Sequence, residues 1–254
     1  MNFARYPSLA GRTVFISGGA TGIGADIVRA FARNHARVAF CDLQAEAGEA
    51  LTSVLADAGA TSIFIKCDVA DIPALQDAIS ETGRRLGPTA VLINNAANDE
   101  RHAIDEVSVD YWDKAQNVNL RHHFFAAQAV RPQMRKLGFG SVINLSSIAW
   151  RVGAGELPAY AAAKAGVVGL TRALARAFGA DNIRVNAIEP GAVMTEKQRQ
   201  LWYKTPESVD AIVRRQAIKA TLLGEEVARA ALFLAADDSR MITKQSLTVD
   251  AGLR

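Results

Sequence analysis

Short, continuous apolar runs alternate with longer stretches of helical periodicity along this sequence. The run TVFIS is followed by helical apolar spacing in GIGADIVRAFARNH, and the same order recurs towards the C-terminus. Strands that alternate with helices predict βαβ units, and continuous apolar runs predict a parallel sheet buried on both faces. The predicted strands lie at 13–17, 37–41, 62–67, 90–95, 141–147, 183–188 and 246–250.

No linker, internal repeat or low-complexity segment interrupts this pattern. Half of the 254 residues are hydrophobic, which supplies enough apolar material for one substantial core. We therefore expect a single α/β domain over residues 1–254. Its core is a Rossmann-like, doubly wound parallel sheet of about seven strands, with helices on both faces.

Charge and hydropathy narrow the range of partners. The 29 basic and 26 acidic residues leave a formal charge of +3, and the basic residues are scattered, so no nucleic acid is expected. The N-terminus lacks the apolar region of a signal peptide, and no apolar run approaches the ~20 residues of a membrane span. The sequence predicts a cytoplasmic protein with no membrane partner. The four histidines show no metal-ligand spacing, so no metal is expected.

The two cysteines, Cys41 and Cys67, each end an apolar run and directly precede an aspartate. The expected strand order 3-2-1-4 makes their strands neighbours in the sheet. A disulfide between adjacent parallel strands is geometrically awkward, and the cytosol is reducing. We therefore expect two buried, reduced thiols.

The first strand is joined to the first helix by a glycine-rich loop, SGGATGIG. Gly18, Gly22 and Gly24 in this loop let the backbone turn tightly and approach a pyrophosphate that lies over the helix N-terminus. A strand-to-helix turn also needs glycine for its own geometry. The order of strand, loop and helix favours dinucleotide binding.

Asp42 follows Gly22 by 20 residues and ends the second strand. A carboxylate at this point accepts hydrogen bonds from the adenosine ribose hydroxyls of NAD and repels the 2′-phosphate of NADP. The glycine loop and Leu43 offer no positive charge, so NAD is favoured and use of NADP is expected to be weaker. A helix cap for the segment that starts near Gln44 is the alternative role for Asp42.

The stretch LPAYAAAKAG places Tyr160 and Lys164 four positions apart, on one face of a helix. A cation close to a phenol favours the phenolate, so this spacing predicts a lowered pKa for Tyr160. The alternative is an ordinary helix with one aromatic residue and one solvated lysine.

Eight motifs share their order and spacing with one family over nearly the whole chain. They are SGGATGIG (17–24), CDV (67–69), NNA (94–96), NVN (117–119), INLSS (143–147), YAAAK (160–164), RVNAIEPG (184–191) and the closing VDAG. The sequence therefore resembles the short-chain dehydrogenases/reductases. One departure is Ala97, which stands where the family usually has glycine.

The resemblance implies a set of residues that bind the dinucleotide. Asp68 and Val69 would hold the adenine, Asn95 and Ala96 the ribose, and the segment 190–195 the nicotinamide. The full set of cofactor residues is Gly18, Thr21, Gly22, Ile23, Gly24, Asp42, Leu43, Asp68, Val69, Asn95, Ala96, Tyr160, Lys164, Pro190, Val193 and Thr195.

The same resemblance implies the catalytic residues. Tyr160 would be the general base for a substrate hydroxyl, and Lys164 would lower its pKa and bind the nicotinamide ribose. Ser147 lies thirteen residues before Tyr160, the family offset, and would orient the reacting oxygen, whereas its neighbour Ser146 is the alternative. Asn119 would place a water that relays protons from Lys164; without the family, a helix-capping or kink role is as good.

Polar loops at the carboxyl ends of the strands indicate a small polyol substrate. The expected contacts are Asn98, Ser147, Glu156, Tyr160, Gln198 and Trp202, with a substrate loop at about 192–215. NNAANDERH, YWDKAQNVNLRHHFF and KQRQLWYKTPE resemble bacterial pentose 1-dehydrogenases. The implied reaction oxidises an aldopyranose at C1 to an aldonolactone, with hydride passing to NAD. L-Arabinose is preferred slightly over D-xylose, with D-galactose and L-fucose close behind.

Two alternatives remain open. A 3-oxoacyl or carbonyl reductase of the same fold would prefer NADPH and a hydrophobic ketone, and Asp42 and the polar loops count against it. A catalytically idle NAD-binding regulator would tend to lose members of the tetrad, which is complete here. Family resemblance also implies a homotetramer, built partly from the helix of Tyr160 and its neighbour at 118–136.

Overall fold

One seven-stranded parallel sheet forms the centre of the protein, which a computed structural model describes over residues 3–254. The strand order is β3-β2-β1-β4-β5-β6-β7, and every neighbouring pair is parallel. This confirms the predicted α/β class. The strands are β1 (Thr13–Ser17), β2 (Arg37–Asp42), β3 (Ser62–Lys66), β4 (Thr89–Asn94), β5 (Gly140–Leu145), β6 (Ile183–Pro190) and β7 (Ser246–Val249).

Helices cover both faces of the sheet, as expected for continuous apolar strands. They are α1 (Gly22–Arg33), α2 (Ala45–Asp57), α3 (Ile72–Leu86), α4 (Val109–Gln116), α5 (His122–Leu137), α6 (Ala149–Val152), α7 (Pro158–Phe178), α8 (Glu196–Leu201), α9 (Pro206–Arg215) and α10 (Gly224–Ala235). α1, α2 and α10 contribute to the apolar core on one face, and α3, α5 and α7 to the core on the other. The two layers bury the sheet and leave its carboxyl edge to the loops.

The strand order reverses between β1 and β4, where the chain crosses from one half of the sheet to the other. Ser17 and Asn94, the last residues of these two strands, are partners in the register. In open α/β sheets, ligands bind in the crevice at such a switch point. The fold therefore places the glycine loop after β1 beside the segment after β4.

The segment 192–215 is more regular than the expected loop. The Thr195 hydroxyl accepts a hydrogen bond from the backbone N–H of Gln198 at 3.3 Å and caps α8. Thr205 forms a capping box with Ser208 at the start of α9. The expectation of a loop here was wrong, because both threonine caps outweigh the polar composition.

Cys41 and Cys67 are both buried and both free, as expected. They lie at the ends of the paired strands β2 and β3, where the Cys67 N–H donates to the Asp42 carbonyl at 3.1 Å. A hydrogen bond with Cys41 lowers the pKa of Cys67. Among residues 3–254, no helix is both long and apolar enough to cross a membrane.

Candidate active site

A cavity of about 840 Å³ opens at the carboxyl edge of the sheet, across the switch point. All the residues that the sequence assigns to the dinucleotide line it, from Gly18 on the glycine loop to Thr195 before α8. Ser147, Tyr160 and Lys164 line the same cavity. One concave surface therefore holds the expected cofactor residues and most of the expected catalytic ones.

The glycine loop is built for close approach of backbone to backbone. A Cβ on Gly24 would lie 1.8 Å from the Gly18 carbonyl oxygen, and Gly18 itself has a φ of +66°. A Cβ on Gly18 would come within 2.7 Å of the Ala96 Cα. Side chains are thus excluded where the loop meets the N-terminus of α1. The bare backbone and the helix dipole fit a pyrophosphate at this point.

The Asp42 carboxylate is oriented by backbone N–H groups at the rim of this cradle. One oxygen accepts from Ala20 at 3.0 Å and the other from Gln44 at 3.1 Å. Gln44 is the N-cap residue of α2, and no side chain caps that helix, so Asp42 supports the turn before α2 and does not take the alternative capping role. An ionised carboxylate has about four acceptor sites, so Asp42 keeps capacity for ribose hydroxyls.

Ala97 fits its position despite the family's glycine. Its φ is negative, so the added methyl group meets no left-handed backbone strain. The side chain is exposed and lines the cavity. Glycine is therefore not required here by backbone conformation.

Tyr160 and Lys164 lie one turn apart in the first turns of α7, which begins at Pro158. The Lys164 Nζ lies 5.5 Å from the centre of the Tyr160 ring and donates to the Leu145 carbonyl at 2.7 Å. Lys164 is only 1% exposed, so the alternative of a solvated lysine is wrong. The sequence spacing therefore brings the phenol and the ammonium to one wall of the cavity.

The expected lowering of the Tyr160 pKa is not what the structure shows. Burial raises the pKa of Tyr160, the Asp99 carboxylate raises it further, and a hydrogen bond with Ser147 opposes the rise. Burial also lowers the pKa of Lys164 to about 7, against a smaller opposing effect of Asp99. Desolvation by burial is therefore the main cause of both shifts in pKa.

The two serines after β5 have different partners. Ser146 is buried, and its hydroxyl donates to the Lys164 carbonyl at 2.7 Å. Ser147 interacts with the Tyr160 hydroxyl and accepts from the Ala149 N–H at 3.1 Å. The geometry favours Ser147 over Ser146 as the serine that faces the reacting atoms.

Asn119 lies outside the cavity lining, in a π-helical turn at Asn117–Arg121. Its amide group donates to the Ala115 and Asn98 carbonyls at 2.9 and 3.1 Å, and it accepts from the Asn98 N–H at 2.8 Å. The side chain therefore fixes the backbone of Asn98 and the widened turn. Its water-placing role stays a prediction.

The substrate end of the cavity contains three of the expected contacts, Asn98, Glu156 and Gln198. Trp202 does not line the cavity, and its contact with a sugar stays a prediction. The Arg101 guanidinium lies 4.4 Å from the centre of the Trp202 ring and covers that face. Arg101 also pairs with Glu156 at 3.5 Å, so it joins three loops.

Two further charged groups at the carboxyl edge of the sheet were not assigned from the sequence. Asp99 lines the cavity and bonds Lys197 and Gln198 on α8. Glu189 at the end of β6 is fully buried and pairs with Arg151. The polar run NDERH signalled the first, but no spacing in the sequence links Glu189 to Arg151. Residues 3–254 contain no group of three or more His, Cys, Asp or Glu side chains that could hold a metal.

The fold and the cavity define a dinucleotide-binding α/β protein with a serine–tyrosine–lysine centre. Comparison with known proteins agrees. Residues 18–254 match the family model described as enoyl-(acyl carrier protein) reductase. The chain belongs to the short-chain dehydrogenase/reductase family, and it is an oxidoreductase.

Two curated relatives and one solved structure give the detail. The chain is 46% identical to the "probable galactose dehydrogenase GalD" of Rhizobium meliloti, with 98% of each chain covered. It is 44% identical over the full length of both chains to a D-xylose 1-dehydrogenase of Caulobacter vibrioides. An actinorhodin polyketide ketoreductase crystallised with NADPH is 29% identical, with a TM-score of 0.88 over 95% of this chain and 97% of that one.

Proposed function

We propose that this protein is an NAD-dependent sugar 1-dehydrogenase that oxidises an aldopyranose at C1 to the aldonolactone. The observation that carries the proposal is the joining of Ser147, Tyr160 and Lys164 to a polar substrate end within one cavity. The full-length relatives named for galactose and D-xylose support a sugar as the substrate. A pentose such as L-arabinose or D-xylose is the preferred substrate within this class.

The catalytic residues have separate roles in the proposed reaction. When bound, NAD supplies the nicotinamide C4 that accepts hydride. The Tyr160 oxygen takes the proton from the C1 hydroxyl, and the Ser147 hydroxyl orients that oxygen. Lys164 stabilises the phenolate and bonds the nicotinamide ribose. Asn119 holds the backbone of Asn98, in the loop that follows β4. The helical segment 192–215 covers the sugar.

Cofactor choice follows from Asp42. Its carboxylate would accept hydrogen bonds from both adenosine ribose hydroxyls and would repel a 2′-phosphate. Leu43 beside it is 61% exposed and apolar, so it offers no counter-charge. NAD is the proposed cofactor, and NADP would be used more weakly.

The alternative enzyme is a carbonyl or 3-oxoacyl reductase of the same fold. The family model's description and the NADPH-bound ketoreductase favour it. The charged groups at the substrate end, Asp99, Arg101, Glu156 and Lys197, favour a polyol over a hydrophobic acyl chain. A catalytically idle NAD-binding regulator would have no need for the serine, tyrosine and lysine that line this cavity. A cytoplasmic homotetramer completes the proposal.

The first prediction concerns NAD reduction across aldoses, steroids and simple alcohols. We expect the highest kcat/KM for an aldopentose or a closely related aldohexose. The rate should rise with pH into the alkaline range, because the phenolate is the proton acceptor and burial raises the pKa of Tyr160. Tyr160→Phe removes the proton acceptor and leaves the cavity shape, so turnover should vanish while NAD still binds. A steroid or simple alcohol as the best substrate, or Tyr160→Phe activity within about tenfold of wild type, would contradict the proposal.

A further inference from the structure

Asp99 occupies a special place at the substrate end of the cavity. It lies in the segment after β4, lines the cavity and retains 27% exposure of its side chain. The Lys197 ammonium donates to one carboxylate oxygen at 3.0 Å, and the Gln198 amide donates to the other. Both oxygens are thus fixed from the α8 side. The remaining lone pairs stay available to a ligand in the cavity.

The charge of Asp99 reaches the reacting centre. Among charged groups, it is the one that raises the pKa of both Tyr160 and Lys164. Its partner Lys197 has no resolved effect on either group and is half exposed to solvent. Arg101, the next cation along the segment, pairs with Glu156 at 3.5 Å. Asp99 therefore brings a negative charge close to the reacting side chains, in a cavity that Arg101, Lys197 and Arg215 also line.

We propose that Asp99 determines the substrate class, accepting a hydrogen bond from a ring hydroxyl of a neutral sugar and excluding sugars that carry a carboxylate. The inference rests on the proposed function, because it assumes that a pyranose binds with C1 at Tyr160. A fixed carboxylate is a strong acceptor for a hydroxyl group. The same charge repels an anion, and repulsion between like charges is larger inside a protein cavity than in water.

The test compares D-galactose with D-galacturonate, two pyranoses of the same ring stereochemistry that differ at C6 by a carboxylate. Wild-type enzyme should use galactose with a much higher kcat/KM. Asp99→Asn keeps the shape and removes the charge, so the galactose-to-galacturonate ratio should fall by about tenfold or more. Glu100→Gln is the matched control. Glu100 is exposed and does not line the cavity, so its variant should keep the wild-type ratio.

Binding of both sugars is measured by calorimetry on the NADH-loaded protein, which cannot oxidise them, alongside turnover with NAD, and Asp99→Ser is a second variant. Both variants should bind galactose more weakly and galacturonate more tightly than wild type, even where turnover is lost. An unchanged ratio and unchanged affinities would overturn the role of Asp99. Wild-type enzyme that oxidises no neutral aldose would instead overturn the proposed function, and the two failures are distinguishable.

Discussion

At the scale of single residues, Asp42 makes the most direct prediction about the cofactor. Replacing it with alanine removes two charge-assisted hydrogen bonds to the ribose, each contributing about 1.5–3 kcal/mol. We expect kcat/KM with NAD to fall by about a hundred- to ten-thousand-fold, because every 1.4 kcal/mol is tenfold. The value with NADP should fall much less or improve, because the repulsion is removed. Steady-state kinetics with both cofactors measures the change in preference.

Two controls accompany the Asp42 variant. Asp42→Asn keeps an acceptor for the Ala20 or Gln44 N–H and separates loss of charge from loss of the local turn. Glu46→Ala removes an exposed carboxylate of α2 outside the cavity. This variant should keep the wild-type kcat/KM with both cofactors. Wild-type enzyme that prefers NADP, or an Asp42→Ala preference equal to that of wild type, would refute the assignment.

The sequence predicted which residues line the site, but it did not predict the electrostatic environment of Tyr160 and Lys164. The spacing of Tyr160 and Lys164 predicted their shared face, since i and i+4 positions adjoin in any helix. The direction of the Tyr160 pKa shift was wrong because desolvation depends on what covers the pair in three dimensions. The contact of Trp202 with Arg101 was equally invisible, because the two residues are distant in the sequence.

At the scale of elements, one ion pair ties the end of β6 to α6. Glu189 is fully buried, and the Arg151 guanidinium donates to both of its oxygens, one at 3.0 Å. Ser147 lies in the segment between β5 and α6. The next residue, Ile148, ties this segment to β6, because its N–H donates to the Pro190 carbonyl at 3.1 Å. The pair therefore supports the loop that carries Ser147, the proposed catalytic serine.

Arg151→Met should destabilise the protein because it leaves a buried carboxylate without its cation. We expect the free energy of unfolding to fall by roughly 3 kcal/mol, the lower end for a broken buried pair, since Arg151 keeps 31% exposure. Adding Glu189→Gln to that variant should restore part of the loss by removing the charge. Urea denaturation of the three proteins measures both effects; a double variant less stable than Arg151→Met would contradict this account.

The ends of the strands were predictable within two residues. A strand that is buried on both faces needs a continuous apolar run, and the ends of that run mark the ends of the strand. The strand expected at 90–95 lies at Thr89–Asn94, and the strand expected at 246–250 lies at Ser246–Val249. Neither α8 nor α9 buries a residue, so neither is marked by a continuous apolar run. The signals in the sequence were local: a threonine cap at the start of each helix, and in α9 the spacing of Val209, Ile212 and Val213.

At the scale of the whole molecule, the outer face of α7 carries several small, exposed residues. Ala162, Gly169 and Ala173 are exposed on this helix, and a Cβ on Gly169 would contact nothing within 4 Å. Phe124 on the neighbouring α5 is 40% exposed. Small residues allow helices of separate subunits to approach closely, and an exposed aromatic gains by burial. The proposed tetramer would use this face.

The last prediction tests that assembly with Gly169→Arg. Within one chain the new side chain meets open space at an ordinary φ, and arginine favours helix over glycine by nearly 1 kcal/mol, so the monomer should fold as well or better. Across a close helix interface the same side chain would clash, so light scattering after size exclusion should show the tetramer replaced by smaller species with native circular dichroism. Gly179→Arg places the same charge beyond the end of α7, where a Cβ also meets open space, and should leave the tetramer intact. A Gly169→Arg protein that remains a tetramer would place the interface elsewhere, and a wild-type monomer would refute the assembly itself.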